Sequence, residues 1–88
     1  MPTDRYGEEL SEIIDCLGKA GFNPLIRGDG AARFVFVEHK QRAAEICRDN
    51  QAWSIEVFEE PQEFAIRQTN QSKMDQAIGE VAAWLRTQ

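Results

Sequence analysis

The spacing of apolar residues changes period twice along the chain. From Tyr6 they fall at Tyr6, Leu10, Ile13, Ile14 and Leu17, one stripe of an amphipathic helix. Thr3 or Asp4 can cap its start, and Gly21 follows the last turn, where a left-handed residue is wanted. Glu8, Glu12 and Asp15, with Glu9 nearby, gather on the opposite side, so the outward face of this helix is acidic. Toward the other end Met74, Ile78, Val81, Ala82 and Leu85 stand in helical register behind Ser72-Lys73-Met74-Asp75, a capping box with Asp in place of Glu. Gly79 inside this second helix costs about 1 kcal/mol against alanine, and Trp84 lies on the flank of the stripe, as a boundary residue or a contact.

Between the helices the period falls to two. Residues 22–27 read as a short strand or an extended linker, and Pro24 confines a strand there to an edge or a start. Gly28-Asp29-Gly30 is a turn. Residues 32–39, 42–48, 52–59 and 63–68 read as strands, joined by Lys40-Gln41, Asp49-Asn50 and the loop from Glu59 to Gln62. Connections this short make an antiparallel meander. The expected fold is α+β, a two-layer sandwich in which a meander of four or five strands is flanked in sequence by an N-terminal and a C-terminal helix. At 88 residues, 1–88 should form a single domain, with material for one core only.

Directly opposed residues on neighbouring strands share a face, so turn length decides which side chains meet. A two-residue turn at Asp49-Asn50 sets Ile46 opposite Trp53 and Ala44 opposite Ile55. A four-residue loop from Glu59 to Gln62 sets Val57 opposite Phe64 and Ile55 opposite Ile66. One apolar face results. The ambiguous stretch is Arg33-Phe34-Val35-Phe36-Val37-Glu38-His39-Lys40, whose central run is apolar without alternation. An even turn at Lys40-Gln41 pairs Val35 with Ile46 and Val37 with Ala44, and turns Phe34 and Phe36 to the other face with Glu45, Cys47, Ser54, Glu56, Phe58, Ala65 and Arg67. A three-residue turn, His39-Lys40-Gln41, reverses the outcome.

If both helices lie on the valine side, the phenylalanine side is open. Aromatic rings among carboxylates then have the composition of an interaction surface. The alternative is that the first helix crosses to that side, or the N-terminal strand covers it, and the phenylalanines are core.

Charge narrows the partners. With 15 acidic and 10 basic residues the formal charge is -5, which repels phosphate, favours a basic partner and also serves solubility. The order of helix, strands and helix is similar to that of double-stranded RNA-binding domains. Their phosphate grip at the start of the last helix falls here on Ser72-Lys73-Met74-Asp75-Gln76, with one lysine and no basic cluster before it, so no nucleic acid is expected. The start lacks the pattern of a secretion signal, and no run approaches the roughly 18 apolar residues of a membrane span. The expectation is a cytoplasmic protein with no membrane partner.

Catalytic and metal chemistry find little support. His39 is the single histidine, at a hairpin tip with no nucleophile placed beside it in sequence, and reads as a solvated turn residue. Cys16 and Cys47 fit neither a disulfide framework nor a zinc site, and no metal or cofactor is expected. Glu8-Glu9 and Glu59-Glu60 are adjacent and so diverge in direction, which makes neither an acid/base pair.

The sequence therefore points to a small acidic non-enzymatic protein-binding module of the inhibitor, immunity or adaptor type. Its partner-binding residues would be Phe34, Phe36 and Phe58, rimmed by Glu45 and Glu56, and its partner another protein of basic character. The alternative is a homodimeric structural domain that closes the same face on a second copy. A small-ligand or enzymatic site comes third, and would need a buried polar cluster around Trp53 or Tyr6.

Overall fold

Asp4 begins the first helix: its side chain accepts a hydrogen bond from the Gly7 N–H, which satisfies one of the donors a helix start leaves free. The structure is a computed structural model and describes residues 4–87, so Thr3, the other candidate cap, lies outside the described residues. Helix α1 runs Arg5–Lys19, and Gly21, at φ 99°, takes the left-handed position beyond its end. There follow β1 (Leu25–Arg27), a single 3-10 turn (Gly30–Ala32), β2 (Phe34–His39), β3 (Arg42–Asp49), β4 (Ala52–Glu59), β5 (Arg67–Gln71) and helix α2 (Met74–Arg86). The five strands form one sheet in the order β1-β2-β3-β4-β5, every neighbouring pair antiparallel. This is the α+β meander flanked by two helices that the periodicities predict.

Both helices bury their stripes on one side of the sheet. Leu10, Ile13 and Leu17 of α1 and Ala77, Val81, Ala82 and Leu85 of α2 share one core with Val35, Val37, Ala44, Ile46, Trp53, Ile55 and Val57. Burial of these side chains, at about 1.5–3 kcal/mol for each of the larger ones, is what holds the two layers together. Tyr6 extends the core at the start of α1. Its ring stacks 6.4 Å from that of Trp53, and its hydroxyl donates to the Arg33 carbonyl and accepts from the Arg48 N–H.

Local predictions needed correction at several points. The β3–β4 turn is Asn50-Gln51, with Asn50 at φ 59°, so Ile46 faces Ile55 and Ala44 faces Val57 rather than Trp53 and Ile55. The shift is by two residues and preserves every face. Asparagine tolerates the left-handed conformation this hairpin needs better than the aspartate before it in the chain.

The last strand is displaced by an odd number. It starts at Arg67, where residues 63–68 were expected, and sets Arg67 opposite Val57 and Thr69 opposite Ile55. Arg67 thereby moves from the open side to the helix side, where its guanidinium lies 5.6 Å from the Trp84 ring. Phe64 and Ile66 are left exposed in the loop. This edge is closed by hydrogen bonds: Glu80 of α2 accepts from the Thr69 hydroxyl and from Gln71 Nε2. The capping box at α2 does not form, since Lys73 is the N-cap and makes no side-chain bond. Trp84 is an internal contact, its indole N–H donating to the carbonyls of Ala43 and Phe58 at 3.1 and 3.2 Å.

Candidate functional site

The turn at Lys40-Gln41 holds two residues, with Lys40 at φ 59° and His39 paired to Arg42. That parity sets Val35 against Ile46 and Val37 against Ala44, all within the core, and turns Phe34 and Phe36 away from both helices. The first helix does not cross to the phenylalanine side. Nor does the N-terminal strand cover it: β1 pairs alongside β2, with Leu25 opposite Phe36 and Arg27 opposite Phe34.

Across the sheet, this face carries Glu45 opposite both Phe36 and Glu56, Ala43 opposite both Glu38 and Phe58, and Cys47 opposite Ser54. Phe34, Phe36 and Phe58 are each half-buried by their neighbours, not by a second layer. The Arg27 guanidinium sits 4.0 Å from the centre of the Phe36 ring, and Leu25 beside it is 43% exposed.

Two shallow depressions mark the face. The larger, about 270 Å³, lies around Phe36, Ala43 and Phe58, with Glu38, Glu45 and Glu63 on its wall. The smaller, about 150 Å³, lies around Phe34, Cys47, Ser54 and Glu56. Partial burial, then the opposed Glu56, push the Glu45 carboxyl above the usual carboxylate range, while Arg27 pulls it back. Burial, then Glu56 and further carboxylates, likewise raise the Cys47 thiol. A thiol so raised stays protonated and is a poor nucleophile.

Phe64 went unrecognised as a surface residue. It is 81% exposed on the loop between β4 and β5, whose Gln62 and Glu63 border the larger depression. The signal was the polar run Glu59-Glu60-Pro61-Gln62-Glu63 directly before it, which favours a longer loop over an immediate strand.

The remaining candidates lie away from the phenylalanine face. His39 is packed rather than solvated, its ring edge-on to Phe22 at 5.2 Å. The polar groups near Tyr6 and Trp53 are matched in pairs, Arg33 with Asp4 and Arg48 with Glu9. Among the described residues no polar or charged side chain is fully buried. Cys16 is exposed on α1. Among the described residues no helix is long and apolar enough to cross a membrane. No protein-family model, no curated protein and no solved structure matches the chain.

Proposed function

We propose that this chain is a small non-enzymatic protein-binding module that docks a basic partner protein on the phenylalanine face of its sheet. The observation that carries the reading is the position of Phe34, Phe36 and Phe58 on the side opposite both helices, interleaved with Glu45 and Glu56. Half-buried aromatic rings gain most from being covered, and carboxylates among them select a partner of opposite charge and fix its register. Phe64, an exposed ring, directly follows Glu63 of the larger depression in the chain.

A homodimer through this face is the weaker reading. A twofold axis would bring the Glu45 and Glu56 of one copy toward those of the other, and like charges so juxtaposed oppose association. The test compares wild type with Phe36→Asp in affinity capture from the native host, alongside circular dichroism and thermal unfolding of both proteins. The variant is expected to keep its fold and lose the partner. If the variant unfolds, Phe36 is a core residue and the docking face is not where this reading puts it.

A further inference from the structure

We infer that the larger depression of this face is a receptor for the guanidinium group of a partner's arginine. The inference deepens the docking reading and rests on it. Its shape follows from one small residue. Ala43 lies directly between Glu38 on β2 and Phe58 on β4, with Phe36 one step along β2, so the short side chain leaves a notch between two aromatic rings.

The wall of the notch is net anionic. Among the described residues Glu38, Glu45, Glu60 and Glu63 make no salt bridge. The cation on the wall, Arg42, is held by Glu59 of the same wall and donates to the Trp84 carbonyl. Carboxylates gathered on one wall favour a cation entering the notch.

The chain supplies its own example of the ligand. Arg27, reaching over from the edge strand β1, rests its guanidinium on the Phe36 ring at 4.0 Å. It is also the one cation that counts in favour of ionised Glu45. An aromatic face next to a carboxylate therefore already holds a guanidinium at this sheet surface, and the notch repeats the combination with a second ring, Phe58, and more carboxylates. Arginine suits it better than lysine. A planar guanidinium stacks on a ring and presents paired donors to carboxylates, whereas an ammonium is a compact, strongly hydrated charge.

The test is a heteronuclear NMR titration of the whole chain with the capped peptide tri-arginine, and with tri-lysine and tri-citrulline at matched ionic strength. Tri-arginine is expected to shift the amides of Phe36, Ala43, Glu45 and Phe58 to saturation. Tri-lysine should bind roughly two- to fivefold more weakly for want of ring stacking, and uncharged tri-citrulline should leave those amides in place. Ala43→Leu fills the notch and should abolish saturation. Should that variant misfold, Glu38→Gln with Glu45→Gln serves instead, and should weaken tri-arginine by up to about fivefold per carboxylate.

Equal shifts for tri-arginine and tri-lysine, spread over Glu8, Glu12 and Asp15 of α1 as well, would reduce the effect to general charge attraction and overturn the receptor. The two readings fail separately. Loss of the partner by Phe36→Asp without tri-arginine saturation keeps the docking face and removes the arginine receptor. Retention of the partner by a folded Phe36→Asp removes the docking face and with it the receptor's role.

Discussion

Glu45 and Glu56 stand directly opposite each other on β3 and β4, an arrangement that works against folding. The Glu45 carboxyl is raised above its ordinary value by partial burial and by Glu56. Between its unfolded and folded values the native state therefore binds more protons, and stability falls as pH rises through that window. Asp4 has the opposite sign. Held below its ordinary value by Arg33 and then by the Gly7 N–H, it contributes stability above that value, which is lost as pH falls. Glu45→Gln is thus expected to stabilise the chain near neutral pH by about 0.2–1 kcal/mol, toward the low end because Glu45 is partly exposed and screened. Urea unfolding at neutral and acid pH checks this: the gain should vanish once Glu45 is protonated and shrink in high salt. An equal gain at both pH values would assign it to something other than charge. A residue that costs stability and faces solvent among aromatic rings is what a binding surface retains.

At the residue scale the sequence narrowed the parity of the apolar run to two outcomes, because a tight hairpin leaves few options, and the structure decides between them. Two residues at Lys40-Gln41 send Val35 and Val37 inward and Phe34 and Phe36 outward. The distinction is measurable. Ile46→Ala, on the valine side and fully buried, is expected to cost about 2–5 kcal/mol. Phe34→Ala, on the open side, should cost clearly less in the same unfolding experiment, and similar losses would mean that both faces are core.

Short connections carry register in their length, and long ones do not. At β2–β3 the sequence left two turn lengths, and the structure takes the two-residue one. At β3–β4 the choice between Asp49-Asn50 and Asn50-Gln51 changed partners without changing faces. The loop at residues 60–66 broke the pattern, because the alternation of Phe64 and Ile66 imitates a strand, while the true strand, Arg67–Gln71, is a polar run with no apolar alternation to mark it. Its side chains are held by Glu80 of α2, which accepts from Thr69 and Gln71. Glu80→Ala removes both bonds and is expected to cost about 1–3 kcal/mol. Hydrogen exchange should show the β5 amides opening faster while the β3 amides keep their protection. Gly79, one residue earlier on α2, has open space where a Cβ would stand. Gly79→Ala should therefore raise stability by about 0.5–1 kcal/mol in denaturant unfolding, and a loss would reveal a close contact on that side of the helix.

At the scale of the whole molecule, the proposed docking would divide its work between charge and apolar area. The formal charge of -5 would attract a basic partner from a distance, and the carboxylates of the phenylalanine face would aim it. Ions screen such attraction beyond about 8–10 Å at physiological salt, so its effect falls mainly on the rate of encounter. On that proposal docking would cover Phe34, Phe36 and Phe58 and exclude water, and their loss would be felt as faster release. For a complex formed through this face, raising the salt from low to physiological strength is expected to slow association by about tenfold or more while leaving dissociation nearly unchanged. Phe36→Ala should do the reverse, speeding dissociation with association largely preserved. Stopped-flow kinetics with the captured partner separates the two. A salt effect carried mainly by dissociation would place the ion pairs inside the buried interface, with Glu45 and Glu56 as anchors and the rings as their surround.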